Sequence, residues 1–132
     1  MVKIRLRRKG RAKAPFYDIV AMDARSRRDG AYLERIGYYN PMVRPAEINI
    51  NADRAIYWLN IGAQPTDITR SLMSVEGVML ARALKFKGKT DEEIAEAVAA
   101  HKVNAQKRYE RNARKRIEKK KAKAAAAAAE KK

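Results

Sequence analysis

Residues 2–7 alternate apolar and cationic side chains in a pattern that is typical of a β-strand. The alternating residues are Val2, Ile4 and Leu6 against Lys3, Arg5 and Arg7. Because successive side chains of a strand point to opposite faces, one face would enter a core and the other would carry a row of positive charge. Residues 1–13 contain seven Lys or Arg and no acid. The pattern therefore predicts a rigid strand that presents cations to a polyanion.

A hairpin is predicted to continue from this strand. The next residues are turn-like and include a flexible glycine: Arg8, Lys9, Gly10, Arg11 and Lys13. Residues 15–22 then form a second strand that is apolar on both parities, with Asp18 as the exception. Such a strand is expected to be covered on both faces of its sheet.

An arginine-rich loop, residues 23–30, follows the hairpin and ends in Asp-Gly, a strong turn signal. Its basic residues are Arg25, Arg27 and Arg28. Guanidinium groups bind phosphate oxygens in a bidentate fork, so this loop is a candidate RNA contact. The alternative is a solvated loop whose arginines pair with Asp23 and Asp29.

The remainder of the first half supplies two more strands and two short helices. The strands are predicted at residues 32–39 and 47–50. Asn51 and Gly62 are placed to begin and end one helix, and Thr66 to begin another, which has Ile68, Leu72 and Met73 on its apolar side. Tyr38 and Tyr39 either stack on unpaired bases or pack in the core.

The overall charge narrows the class of protein. The 132-residue chain has a net charge of +16 and 46% hydrophobic residues. This balance favours a folded protein that binds nucleic acid or an anionic membrane surface. No apolar run approaches the ~20 residues needed to span a bilayer, and the N-terminus lacks the apolar core of a secretory signal. Without cysteine, the chain has no disulfide or thiolate site. We therefore expect a cytosolic, soluble protein.

The second half has a different composition, and we place a boundary near Met73. Ser74 is predicted to cap a helix, and Thr90 with Glu93 forms a capping box for a last helix from Asp91. Eleven basic residues occur between Lys102 and Lys123, followed by six alanines. This segment is interpreted either as a cationic arm ordered on RNA or as a disordered solubilising tail.

The residues offer little support for catalysis. Gly88, Lys89 and Thr90 resemble the end of a phosphate-binding loop, but the first glycine of that motif is replaced by Ala83. His101 is the only histidine, which excludes a multi-histidine metal site. Asp23, Asp29 and Glu34 form a conceivable magnesium site for a nuclease, although turn formation and arginine pairing explain them more simply. We predict no enzyme, metal or cofactor.

Several motifs resemble the bacterial small-subunit ribosomal protein sixteen family between Met1 and about Met73. They are VKIRLRRKG, KAPFYDIVAMD, RSRRDG, IGYYNP and, most distinctively, YWLNIGAQPTDITRSLM. The resemblance implies a compact α+β domain with a small mixed or antiparallel sheet of about four to five strands and short helices. It also implies binding to the 5′ domain of small-subunit ribosomal RNA and a part in subunit assembly.

The resulting hypothesis is an α+β ribosomal-RNA-binding domain, residues 1–73, with a basic helical extension, residues 74–132. Its partners would be ribosomal RNA and neighbouring ribosomal proteins, with no small-molecule substrate. A DNA-binding architectural protein is the alternative, since it needs the same charge. The predicted phosphate contacts are Lys3, Arg5, Arg7, Arg8, Lys9, Arg11, Lys13, Arg25, Arg27 and Arg28.

Overall fold

The computed structural model describes the backbone of residues 1–130 and the side chains through residue 126. Over that range the chain forms five strands and four helices. In order they are β1 Val2–Arg11, β2 Ala14–Asp23, β3 Glu34–Asn40, β4 Glu47–Ile50, α1 Ala52–Ile61, β5 Gln64–Pro65, α2 Asp67–Val75, α3 Val78–Phe86 and α4 Asp91–Glu130.

The strands form one mixed sheet in the order β4-β3-β2-β1-β5. All neighbouring pairs are antiparallel except β1 and β5, which are parallel. In the central pair, Leu6 lies opposite Ile19 and Arg7 lies opposite Asp18. The predicted α+β class with a small mixed sheet is therefore confirmed.

One face of the sheet is covered by the helices. Ile4 and Ile19 from the sheet are fully buried in the same core as Leu59, Met73 and Ile94 from the helices. Each large aliphatic side chain buried in this way contributes roughly 1.5–3 kcal/mol. Residue 73 lies within α2, and the division of the chain at that position stays a prediction.

The first hairpin is longer than its sequence pattern predicted. The sequence pattern predicts a turn that includes Arg8, Lys9 and Arg11, but β1 continues through Arg11 and only Ala12 and Lys13 lie between the strands. Gly10 makes this possible, because it adopts a φ of +86° within the strand and stays paired with β2. The cations near the tip are thus fixed by the sheet.

The predicted boundaries of α1 are confirmed. The Asn51 side chain accepts a hydrogen bond from the Arg54 backbone N–H at 3.2 Å, and Gly62 ends the helix in the left-handed conformation. The predicted apolar side of α2 is wrong in one position: Ile68 is exposed and Thr69 is buried instead. The Thr69 hydroxyl is satisfied by the Thr66 hydroxyl at 2.9 Å, so its burial leaves no unpaired donor.

Ser74 does not begin a helix, contrary to the prediction. It lies inside α2, and α3 starts after Gly77, whose φ of +80° ends the preceding turn. The capping signal at Thr90 is confirmed, since α4 begins at Asp91 and the Glu93 N–H lies 3.5 Å from the Thr90 hydroxyl. Among the described residues, no helix combines the length and apolar character needed to cross a membrane.

Gly37 allows β4 to pair closely with β3. A Cβ at this position would collide with the backbone carbonyl oxygen of Asn49 on β4. We expect Gly37→Ala to lower the free energy of unfolding by about 2–3 kcal/mol, because backbone cannot move aside as a side chain can. Urea denaturation followed by circular dichroism measures this loss.

The matched control is Gly88→Ala, where the added Cβ meets nothing within 4 Å but φ is +73°. Its cost should be about 1 kcal/mol, from backbone conformation alone. An equal or smaller loss for Gly37→Ala would contradict the close approach of the two strands.

Candidate nucleic-acid interface

The arginine-rich loop, residues 23–30, lies over the sheet face opposite the helices. Alternation along β1 brings Arg5 and Arg7 to this face. The Arg5 guanidinium donates to the backbone carbonyl of Ser26, and that of Arg7 donates to the carbonyl of Asp29 at 3.4 Å. Val20, opposite Arg5 in the sheet, is fully buried on this side. Arg5 and Arg7 therefore support the loop.

The Arg7 side chain makes a further contact beyond the loop. Its guanidinium carbon lies 5.2 Å from the centre of the Tyr32 ring, a cation–π distance. Arg8 folds back over the hairpin tip, where it donates to the carbonyl of Ala12 at 3.3 Å. These contacts use part of the hydrogen-bonding capacity of both arginines and fix where their charges lie.

The ten predicted contact residues fall into two groups by exposure. Four are half-buried: Lys3, Arg5, Arg7 and Arg8. Six are exposed: Lys9, Arg11, Lys13, Arg25, Arg27 and Arg28. The structure therefore brings the hairpin tip and the loop to the surface as two cationic segments, joined through Arg5 and Arg7.

The exposed cations also differ in how they are paired. Arg28 lies 3.0 Å from the Asp29 carboxylate, which raises the pKa of Arg28 through their hydrogen bond. The alternative interpretation of the loop, in which its arginines pair with its own acids, therefore applies to Arg28. Within the described part of the chain, no ion pair is formed by Arg11, Lys13, Arg25 or Arg27.

A buried carboxylate lies at the centre of this face, at the position that interrupts the apolar pattern of the second strand and to which the sequence alone assigned no role. Asp18 is fully buried in β2. Its Oδ2 pairs with the Lys9 ammonium, and its Oδ1 accepts from Arg35 Nε at 3.0 Å. The two cations are about half exposed, with 47% and 48% of their side-chain surfaces accessible. The available signal was a lone acid on the same parity as Phe16 and Val20.

We expect Asp18→Asn to destabilise the fold by about 2 kcal/mol. Removing one partner from a buried ion pair costs more than this when both ions are buried, but here the cations keep access to water. The matched control is Asp53→Asn. The Asp53 carboxylate pairs with Lys85, and the Asp53 side chain is 85% exposed. The control should lose little or no free energy of unfolding.

Thermal and urea unfolding measure this loss for both variants. A loss for Asp18→Asn that is no larger than the loss for Asp53→Asn would contradict a stabilising role for the Asp18 pairing.

The aromatic residues next to Asp18 stack within the protein. The Phe16 and Tyr38 rings have centroids 5.5 Å apart, and those of Tyr17 and Tyr39 are 6.0 Å apart. The Tyr38 hydroxyl donates to the Glu47 carboxylate at 2.6 Å, which raises the pKa of Tyr38. These contacts join β2, β3 and β4 and favour packing over base stacking for both tyrosines.

The three acids considered for a magnesium site each have a structural partner. Asp23 accepts from the Arg25 backbone N–H at 2.8 Å, which lowers the pKa of Asp23. Asp29 pairs with Arg28, and this likewise lowers the Asp29 pKa. Glu34 accepts from Arg54 at 2.6 Å and from the Trp58 indole at 2.7 Å. These acids stabilise the loop and the β3–α1 packing.

The Glu34 interaction predicts a pH dependence of stability. The Arg54 hydrogen bond holds the pKa of Glu34 below its ordinary value. A carboxyl whose pKa is lower in the folded than in the unfolded protein stabilises the fold at pH values above its unfolded pKa, about 4.3 for Glu. This contribution is lost as the pH falls through the pKa of the folded protein. At pH 7, Glu34→Gln should cost about 1 kcal/mol, given screening at the half-exposed Arg54.

Unfolding free energies at pH 7 and pH 3 test this expectation. The difference in unfolding free energy between wild type and Glu34→Gln should be smaller at pH 3 than at pH 7. The control is Glu96→Gln, at an exposed position of α4, and its unfolding free energy should match that of wild type at both pH values. A difference that is unchanged at pH 3 would mean that the Glu34 charge does not contribute.

A compact sheet that presents fixed and unpaired cations is typical of a nucleic-acid-binding protein. Residues 8–66 match the model of the family described as ribosomal protein S16. The small ribosomal subunit protein bS16 of Prosthecochloris aestuarii is 49% identical and covers 97% of this chain and 98% of its own length. That of Chlorobaculum tepidum is 44% identical and covers 98% and 96%. The chain belongs to the ribosomal protein S16 family.

This membership confirms the resemblance inferred from the sequence motifs. It also confirms the prediction that the protein is structural and is not an enzyme. Both relatives align over nearly all of this chain, so the similarity continues beyond residue 73 into the helical extension. The comparisons return ribosomal proteins, and nothing in them points to a DNA-binding architectural protein.

Proposed function

We propose that the protein is a structural component of the small ribosomal subunit, where it binds ribosomal RNA and lies next to other ribosomal proteins. The observation that carries this proposal is the cationic face of the first hairpin and loop in a chain of this family. Family membership supports a place in the ribosome, and hence in the cytoplasm. The RNA region is the 5′ domain of the small-subunit RNA, as the motif resemblance implies.

The exposed cations make the phosphate contacts in this proposal. Arg11 and Lys13 lie at the hairpin tip, and Arg25 and Arg27 lie on the loop. Phosphate contacts set the position of the protein on RNA and carry no base information. Selectivity would then come from the shape of a folded junction and its 2′-hydroxyl groups, to which a rigid cation array is complementary.

Arg5 and Arg7 have a different role in the proposal. Because each donates to a loop carbonyl, they determine where the loop arginines lie relative to the hairpin. Their charges still contribute to the local positive potential. The sequence assigned them to direct phosphate contact, and that assignment stays a prediction.

The binding energy should be mainly electrostatic. If about 8 phosphates are neutralised, affinity should fall by several orders of magnitude between low and moderate salt, through counterion release. Structured ribosomal RNA should nevertheless outcompete plain duplex DNA at equal salt, because the cations are fixed in one arrangement. Equal competition would favour the architectural DNA-binding alternative.

The test neutralises two exposed cations that belong to different segments of the site. We expect Arg11→Gln combined with Arg27→Gln to lower affinity for a 5′-domain transcript about tenfold or more and to reduce the salt slope by about 1–2. Filter binding across a salt series measures both quantities.

The matched control removes the same charge from the α3–α4 link, with Lys87→Gln and Lys89→Gln. Both side chains are exposed, and the Lys89 pair with Glu93 contributes little. This control should bind within about twofold of wild type. Equal losses in the two double variants would mean that net charge alone, and not the hairpin and loop, determines binding.

A further inference from the structure

The long helix α4 is attached to the domain by one side of its first turns. Ile94 is buried in the core, and Val98 packs against Gly77, where an added Cβ would lie 3.1 Å from Val98 Cγ1. The Lys102 ammonium pairs with the Glu76 carboxylate at 2.8 Å. These contacts fix the direction in which the helix leaves the helical layer.

Residues 103–126, the rest of α4 for which side chains are described, are termed the arm. It has ten basic and two acidic side chains. Its larger apolar residues, Val103, Tyr109 and Ile117, are all about half exposed or more. A helix that is polar nearly all round has no core of its own, so its form depends on propensity and on what it binds.

The side of α4 that packs on the domain continues along the arm and changes from apolar to cationic. At three- and four-residue spacing, which keeps residues on one side of a helix, the attached row is Ile94, Val98, His101 and Ala105. The same row continues as Arg108, Asn112, Lys115, Lys119 and Lys123, with Arg116 beside it. The row becomes cationic at Arg108, which still lines a groove with Ser74 and Val75 of α2.

The two acids of the arm, Glu110 and Glu118, lie on one side of the helix together with Arg111 and Arg114. Lys115 lines the same groove, three residues from Glu118, so it belongs to the edge of this mixed side. The cations that lie away from both acids are Arg108, Arg116, Lys119 and Lys123. One side therefore has mixed charge and the other has cations alone. Like charges three or four residues apart disfavour a free helix by a few tenths of a kcal/mol per pair, so a polyanion would stabilise this side.

We propose that this acid-free side of the arm is a second RNA-binding surface, and that its occupant is a phosphate backbone of ribosomal RNA. The contact residues are Arg108, Arg116, Lys119 and Lys123. The inference rests on the proposed ribosomal function but uses different residues. The arm is attached to the helical layer, whereas the arginine-rich loop covers the opposite face of the sheet. The two surfaces would join separate RNA segments.

The charge distribution supports RNA over a protein partner. The row has charge of a single sign over several turns, and one large exposed aromatic residue, Tyr109, lies beside it only at its start. Such a row matches a regularly charged backbone. Fifteen residues separate Arg108 from Lys123, about 22 Å along the helix axis. That length is sufficient to follow several consecutive phosphates.

The experiment compares two triple variants of the full chain on a protein-free small-subunit ribosomal RNA transcript. One carries Arg116→Gln, Lys119→Gln and Lys123→Gln on the acid-free side. Its control carries Arg111→Gln, Arg114→Gln and Lys121→Gln on the mixed side. Both lose three charges from the same helix, and glutamine keeps helix propensity similar to that of lysine and arginine.

We expect the acid-free variant to lower affinity about tenfold or more, to reduce the salt slope by about 2–3, and to lose one of two separate hydroxyl-radical footprints. The control should keep both footprints and bind within about threefold of wild type. The variant with Arg11→Gln and Arg27→Gln should weaken the other footprint only, so failure of the hairpin site and failure of the arm site are distinguishable.

Two outcomes would overturn the inference. Equal losses in the two triple variants would show that the arm acts by general charge without a defined side. Normal binding of the acid-free variant to protein-free RNA, with weaker incorporation when the other small-subunit proteins are added, would assign this side to a protein partner.

Discussion

The pairing register of β1 and β2 is the constraint on which the rest of the structure depends. With Leu6 opposite Ile19 and Arg7 opposite Asp18, one face of the hairpin packs on the helices, and the other carries the β1 cations beside the buried Asp18 and Val20. A slip of one residue would bring the arginines to the helices and expose Ile4. The core, the loop position and the cationic surface are therefore set by one register. The buried Asp18 reinforces it, because that carboxylate has partners on both neighbouring strands.

The basic residues divide into those that build the surface and those that are left for a ligand. Lys9 and Arg35 neutralise a buried acid, and Arg5 and Arg7 hold a loop. An ion pair or guanidinium of this kind adds little net stability, since desolvation offsets the attraction, but it fixes geometry. A folded RNA is recognised through the spacing of its phosphates, so fixed geometry is what such a surface needs. This division explains why net charge alone is a poor guide to the contact residues.

Local sequence signals predicted the elements that obey local rules. Alternation predicted the faces of β1, and the caps at Asn51, Gly62 and Thr90 predicted helix ends, because each signal acts within a few residues. The failures have non-local causes. Ser74 has capping chemistry, but α2 continues past it to a left-handed Gly77. Two-residue β5 is too short for any periodicity and exists because it pairs with β1.

The candidate site was predictable in composition but not in roles. The sequence identified all ten cations of the hairpin and loop, yet it could not show that Arg5 and Arg7 donate to carbonyls about twenty residues away. Asp18 is the clearest instance. An acid within an apolar strand predicts a partner, but the partners, Lys9 and Arg35, are specified only by the register and by the β3 bulge that shifts pairing between Ile19 and Val20.

In α4, as in the sheet, some residues pack within the protein and others are left for a ligand. The helical period of α4 is constant from Ile94 to Lys123, so one row of positions has the same orientation throughout. The row is largely apolar from Ile94 to Ala105, where it packs on the domain, and it is cationic from Arg108 onward. Because the row keeps one orientation while its chemistry changes, the proposed RNA contact lies on the same side of α4 that packs on the domain.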